Sequence, residues 1–343
     1  MEATYSSAPM EAIGQSEAFL HFQEQLSRVA RIDRPVLIIG ERGTGKELAA
    51  ARLHYLSQRW QGPLVTLNCA ALAGSLLDAE LFGHEVGAFT GATVRRKGRF
   101  ENADTGTLFL DEIANLSPEA QEKILRVVEY GSFDRVGGSR PVTVNVRIVG
   151  ATNVDLPQRA KLGAFKEDLL DRLSFEVLTV PPLRMREGDV QVLTRHFAAR
   201  MAVGMGYPES PEFSARAMAM LTAHDWPGNV RELKNVVERA VYRTGPGTIR
   251  EVVFDPFSSP YRPVERVEPA APTALTARDD VPRRAKPDLD IPLAKAVREL
   301  EEAYLATALE QSRHNQKRAA DLLGLTYHQF RGLYRRLGAD RDD

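Results

Sequence analysis

Val36-Leu37-Ile38-Ile39-Gly40-Glu41-Arg42-Gly43-Thr44-Gly45-Lys46-Glu47 is the stretch on which the fold turns. Its first four residues form a short β-branched apolar run, which reads as a buried parallel strand. The eight that follow carry three glycines and the lysine, and Leu48-Ala49-Ala50-Ala51-Arg52-Leu53 then continues with a helical pattern. Strand, glycine-rich loop and helix, in that order, are the context that makes a phosphate-binding Walker A loop credible. The glycines let successive backbone N–H groups face phosphate, the helix N-terminus favours negative charge, and Lys46 reaches toward the outer phosphates. Gly40, Glu41, Arg42, Gly43, Thr44, Gly45, Lys46 and Glu47 are therefore candidate nucleotide-binding residues. One position departs from the general pattern, because Glu47 stands where a magnesium-binding Ser or Thr usually follows the lysine.

Three further strand ends converge on the same edge. Gly106-Thr107-Leu108-Phe109-Leu110-Asp111-Glu112 is an apolar strand closed by two carboxylates, a Walker B motif. Asp111 suits a magnesium ion, and Glu112, one residue on, suits polarising an attacking water. Leu64-Val65-Thr66-Leu67-Asn68 places Asn68 where ligands bind in open α/β sheets, and the strand Val146–Asn153 ends in Thr152 and Asn153. Trp60, after a helix and before a turn, reads as a packing residue, with a surface contact for a regulator as the alternative.

Between the two nucleotide motifs lies Gly87-Ala88-Phe89-Thr90-Gly91-Ala92, preceded by Glu80-Leu81-Phe82-Gly83-His84-Glu85. Glycines on both sides of Phe89 and Thr90 predict a tip that swings on a mobile backbone rather than packing into a core. With these residues the chain resembles the bacterial enhancer-binding proteins, AAA+ ATPases that activate sigma-54 RNA polymerase, from about residue 12 to 337. The resemblance implies an α/β fold, an AAA+ P-loop NTPase with a parallel five-stranded sheet of order 5-1-4-3-2 and an α-helical lid. ATP and Mg2+ are the implied cofactors. Gly87 to Ala92 would contact sigma-54, Asn68 would restrain the catalytic Glu112, and Thr152 and Asn153 would sense the γ-phosphate.

Relatives place an arginine finger, inserted into a neighbouring subunit's ATP, within the segment matching Phe165–Leu173. This chain has Lys166 at the first such place and Arg172 at the second; lysine lacks the planar fork that grips two phosphate oxygens, so Arg172 is the candidate finger. The plain alternative is a helix salt bridge to Asp168. In Trp226-Pro227-Gly228-Asn229-Val230-Arg231-Glu232-Leu233, proline and glycine set a turn and Asn229 is placed to cap. Arg231, in the first turn, matches the family's second sensor. A finger supplied by a neighbour implies a hexameric ring of this chain.

Balanced charge, 45 basic against 46 acidic residues, excludes a global polyelectrolyte partner. A basic patch is concealed within it: Arg313 to Gly338 holds six Arg or Lys against one Asp. There Asn315–Leu325 reads as a helix ending at Gly324, and Thr326 caps a second one, which resembles the family's Fis-type all-α helix-turn-helix. Of this DNA-binding set Thr326 would serve as the cap and Tyr327, His328, Gln329 and Arg331 would address base edges, while Lys317, Arg318, Arg335 and Arg336 would suit phosphates. Before it, Leu293–Ser312 shows a helical face of Val297, Leu300, Tyr304, Leu305, Ala308 and Leu309. A plain three-helix interaction module is the alternative.

The expected divisions are a disordered 1–15, an α/β subdomain over 16–182, a helical lid over 183–254, a linker over 255–292 and a DNA-binding domain over 293–343. The linker segment holds eight of the chain's 20 prolines. One cysteine, Cys69 in an apolar run, excludes an internal disulfide and fits a reducing cytoplasm. No apolar run approaches the roughly 20 residues of a membrane span. So little precedes the ATPase that control is expected to arrive in trans. Within the family the resemblance is strongest to the branch that activates phage shock operons, which implies enhancer DNA, sigma-54 RNA polymerase holoenzyme and the negative regulator phage shock protein A as partners. The rivals are a replication-initiator-like AAA+ ATPase that melts DNA itself, and a repressor with a vestigial nucleotide site.

Overall fold

In the computed structural model the chain divides into two units, Met1–Arg262 and Pro263–Asp343. The residues described are 12–72, 74–257, 261, 293–312 and 315–338. The first unit is built on a parallel sheet of strands β1 (Val36–Ile39), β2 (Leu64–Asn68), β3 (Thr107–Asp111), β4 (Arg147–Thr152) and β5 (Glu176–Thr179). Their spatial order is β5-β1-β4-β3-β2, the expected 5-1-4-3-2. β1 lies between β4 and β5, with Val36 opposite Val149 on one side and Glu176 on the other. A strand paired on both edges and covered on both faces has no polar side, which is why it reads as an unbroken apolar run.

Two apolar clusters cover the two faces. One packs helix α1 (Glu17–Ala30) and α2 (Lys46–Tyr55) on Val36, Ile38, Phe109, Val149 and Ala151. The other packs α3 (Gly74–Phe82), α4 (Arg99–Asn102), α5 (Pro118–Tyr130), α6 (Leu156–Lys161) and α7 (Glu167–Leu173) around Leu37, Leu108, Leu110 and Ile148. Each fully buried Leu, Ile or Phe is worth roughly 1.5–3 kcal/mol, so this double layer fixes the sheet edge on which the functional side chains stand.

A third cluster holds α8 (Asp189–Gly204), α9 (Ala215–Ala223) and α10 (Asn229–Thr244) around Trp226, Leu233 and Val237. Residues 12–15, within the stretch expected to be disordered, are tied to it. Asp189 accepts from Gln15 N at 2.6 Å, Ser16 N at 2.9 Å and Ser16 Oγ at 3.0 Å. Arg186 donates to Asp189 Oδ2 at 2.7 Å and to the Ile13 carbonyl at 2.8 Å, and its guanidinium lies 3.9 Å over the Phe19 ring. Residues 1–11 and, apart from 255–257 and 261, the expected linker lie outside the described residues.

Two short hairpins were not foreseen: Gly83–His84 with Arg96–Lys97, and Ser132–Asp134 with Pro141–Thr143. Strands of two or three residues give too few alternations to register as a period. Trp60 is 56% exposed, which corrects its reading as a packing residue; it stands beyond the end of α2 with Tyr55 and Leu56, which are also exposed.

The second unit contains α11 (Leu293–Gln311), α12 (Gln316–Leu322) and α13 (Tyr327–Gly338). Leu305, Ala308, Ala319, Ala320 and Phe330 form its core. Val297, Leu300 and Tyr304, expected on the buried face of α11, are exposed; only the later half of that face meets α12 and α13. Among the described residues no helix is long and apolar enough to cross a membrane.

Candidate nucleotide site and contact loop

The glycine-rich loop runs off the end of β1, tied to β4 by Gly40 N donating to the Thr152 carbonyl at 3.1 Å. Gly43 and Gly45 have φ of +77° and +99°, which side chains with a Cβ resist. At Gly43 a Cβ would also fall 2.2 Å from the Gly228 carbonyl oxygen, so only glycine lets the lid come this close. The turn delivers Lys46 to the start of α2, where its ammonium donates to the carbonyls of Gly40 at 2.9 Å and Glu41 at 3.3 Å. Burial holds the Lys46 pKa below its usual value, while Glu112 and Asp111 nearby oppose the shift.

The N–H groups of Gly43, Gly45 and Lys46 have no hydrogen-bond partner among the described residues. Free loop amides beside a buried ammonium are the donor set that a polyphosphate requires, so these residues fit ATP. Glu47, one residue on, is exposed.

The sheet edge brings the acids to the same place. Asp111 ends β3 and accepts from Glu112 N at 3.0 Å. Glu112 has φ of +51°, a left-handed turn that sends its side chain away from that of Asp111. With its amide oxygen toward Arg42, Asn153 donates to Glu112 Oε2 at 2.9 Å and accepts from Arg42 Nε at 3.1 Å. The side chain holding the glutamate is thus Asn153. Asn68, expected there, donates to Asp111 Oδ2 at 3.5 Å, and its Oδ1 accepts from Ala70 N at 2.8 Å. Thr152 is buried with its hydroxyl accepting from Val154 N at 3.2 Å, so Asn153 is the residue of that pair that faces the acids.

The lid closes over the loop through Asn229. The expected cap of α10 is instead its first residue, with Gly228 as the N-cap. Fully buried at φ +52°, Asn229 donates to Glu41 Oε2 at 3.0 Å and the Arg42 carbonyl at 3.1 Å, and accepts from Leu183 N at 2.8 Å. Arg184 adds a bidentate pair to Glu41 at 2.8 and 2.5 Å. The Arg184 guanidinium, with Asn229 second, holds the Glu41 carboxyl down at about 2. Neither role is legible locally, because Glu41 lies more than 140 residues away in sequence. Arg231 N donates to the Gly43 carbonyl at 3.3 Å, which sets that exposed side chain beside the loop.

Arg172 and Lys166 stand elsewhere, on and before α7. Arg172 Nε donates to Glu129 at 3.0 Å and Lys166 Nζ to Glu122 at 3.2 Å, both on α5. The alternative partner Asp168 is replaced by Glu129, since α5 and α7 pack side by side. These cations lie outside the cluster formed by Lys46, Asp111 and Glu112.

Gly87–Ala92 leaves the second core as a loop closed by Gly87 N donating to the Ala92 carbonyl at 2.9 Å. Thr90 is exposed and Ala92 buried. Phe89 is 42% exposed and meets His84 edge-on, so the tip packs more than the glycines suggested. Gly137, for which the local sequence carries no site signal, backs it: a Cβ there would fall 2.7 Å from Ala88 Cβ.

In the second unit Thr326 and Gln329 form a reciprocal cap of α13. Gln329 N donates to Thr326 Oγ1 at 3.3 Å, and Thr326 N donates to Gln329 Oε1 at 3.0 Å. Gln329 was expected to address bases, yet its Oε1 serves this cap. Lys317, Arg318, Tyr327, His328, Arg331 and Arg335 are exposed, whereas Arg336 pairs with Glu301 at 2.8 Å.

Comparison with known proteins agrees with this architecture. The sigma-54 interaction domain family matches residues 12–179, an AAA+ ATPase lid domain matches 184–268, and the Fis family of bacterial regulatory proteins matches 296–339. The chain is 52% identical to the Psp operon transcriptional activator of Escherichia coli K12 over 326 residues, 94% of this chain and 97% of that protein. It is 44% identical to the Nif-specific regulatory protein of Azotobacter vinelandii over 93% of its own length but 57% of that longer protein. The crystal structure of NtrX from Brucella abortus in complex with ATP superposes with a TM-score of 0.65 at 33% identity, covering 96% of this chain and 70% of that one.

Proposed function

Because the chain belongs to the family of sigma-54-dependent enhancer-binding activators, AAA+ ATPases with a Fis-type DNA-binding module, we propose that it hydrolyses ATP to convert a closed sigma-54 polymerase–promoter complex into an open one. The observation that carries this reading is Asn153, which ties Glu112, beside Lys46 and Asp111, to Arg42 of the phosphate loop. Bound ATP with Mg2+ supplies the scissile phosphoanhydride and the charge that polarises it. The loop amides and Lys46 bind the phosphates, Asp111 is placed to hold the metal, and Glu112 accepts a proton from the attacking water.

Asn153 holds Glu112 through its amide nitrogen and Arg42 through its amide oxygen at once, so a phosphate that draws Arg42 away removes one of the two bonds that fix the amide beside Glu112. Asn68, on the neighbouring strand, is close enough to take part through Asp111. Arg172, freed from Glu129, serves the site of the next subunit in a hexameric ring, and Arg231 approaches from the subunit's own lid. The resulting shift is passed to Phe89 and Thr90, which engage sigma-54. Thr326 to Arg331 and the basic residues Lys317, Arg318 and Arg335 bind enhancer DNA and concentrate subunits for assembly.

The likeness to the Psp activator supports psp-type operons as the target and phage shock protein A as a negative regulator. The exposed Trp60, beside Tyr55 and Leu56, is an apolar patch fit to meet it.

The test is open-complex formation by permanganate footprinting on a sigma-54 promoter, normalised to ATP hydrolysed. Thr90→Ala should lower open complexes per ATP at least tenfold. Equal coupling in the variant would refute the contact loop, and melting without sigma-54 would favour the initiator-like alternative.

A further inference from the structure

Phe89 does not stand clear of the protein. Its ring centroid lies 5.0 Å from that of His84 with the planes at 62°, the edge-to-face geometry that aromatic quadrupoles favour. The backbone of His84 is held from two sides. It pairs with Arg96 on the returning limb of the same loop. It also bridges in parallel to Val136 of the neighbouring loop. Backbone bonds from Glu85 N to the Val136 carbonyl at 3.1 Å and from Val136 N to the Gly83 carbonyl at 3.0 Å close the arrangement. The His84 Nδ1 is buried and has no hydrogen-bond partner among the described residues. Buried polar atoms are nearly always paired; this one is not, so no hydrogen bond at Nδ1 fixes the ring that meets Phe89 edge-on.

We propose that His84 is a positioning residue that latches the Phe89 tip against the base of its own loop, so that lifting the loop requires parting the two rings. The latch deepens the reading of Gly87–Ala92 as the sigma-54 contact loop and rests on it for its functional meaning. One aromatic contact biases a conformational equilibrium by roughly two- to tenfold. That is enough to keep an apolar tip down at rest, and little enough for nucleotide to overcome.

The experiment is hydrogen exchange at the loop amides of Gly87 and Ala92, both bonded within the loop. It is run on the full-length nucleotide-free protein, alongside binding to purified sigma-54 without nucleotide. His84→Ala should exchange two- to tenfold faster at these amides and bind sigma-54 more tightly by a similar factor, and His84→Phe should restore both. Phe89→Leu should speed exchange to the same extent as His84→Ala, with no further gain in the double variant. If His84→Ala fails to fold, the two- to tenfold faster exchange of Phe89→Leu over the unsubstituted protein, with His84→Phe exchanging like that protein, carries the test by itself. Unchanged exchange in either single variant, additive effects, or no rescue by phenylalanine would overturn the latch. Faster exchange with unchanged sigma-54 binding would leave the latch standing and instead sink the contact-loop reading.

Discussion

Asp189 is a case where one side chain ties a distant terminus to a domain. Its carboxylate is fully buried and takes bonds from Gln15, Ser16 and Arg186. These bonds hold its pKa below the usual range although burial opposes them. Asp189→Ala would leave Arg186 buried and uncompensated, and thermal or urea unfolding should report a loss of about 3–5 kcal/mol. Cys69 makes a second residue-scale statement. Burial, reinforced by Asp111 and Glu112, pushes its thiol from 9.0 up to about 12. The fold therefore favours the protonated thiol. Its contribution is complete below pH 9 and is lost as pH rises from there toward about 12, because the unfolded thiol ionises first. Alkylation of Cys69 at pH 8 should accordingly proceed only at the rate of unfolding; modification of the native protein within minutes would contradict this.

At the scale of elements, the contact loop is a partnership between two loops that are distant in sequence. Gly137, at φ +74°, lets the second loop approach Ala88 more closely than any Cβ permits. Gly137→Ala should displace Gly87–Ala92 and lower open complexes per ATP roughly tenfold, the scale of about 1.4 kcal/mol of lost positioning. Helix α10 makes the matching point for the lid. Its N-terminus is pinned to the phosphate loop by Asn229 and by Arg231 N, so the lid bears directly on that loop.

For the whole molecule, the proposed role of Arg172 predicts a site completed by more than one chain. Lys46, Asp111, Glu112 and Asn153 gather at one sheet edge, while Arg172 is paired to Glu129 on another part of the surface. ATP hydrolysis per subunit should therefore rise steeply with protein concentration and then level off, with Arg172→Ala flattening the curve. A rate per subunit that is constant over a hundredfold dilution, checked by sedimentation for dissociation, would mean that a single chain completes its own site.

With the strand order supplied by the family resemblance, the sequence by itself determined the strands of the sheet, the phosphate loop, the acid pair and the capped helix α13. Each of these is a local matter: β-branched runs, glycines that permit positive φ, and a threonine after Gly324-Leu325 placed to cap are read within a dozen positions. Tertiary structure alone decided that Asn153 holds Glu112, that Asn229 joins the lid to Glu41, that Trp60 faces solvent and that His84 meets Phe89. A hydrogen bond or ring contact depends on where two backbones come to lie, and no periodicity along the chain records which distant neighbour that placement brings within reach.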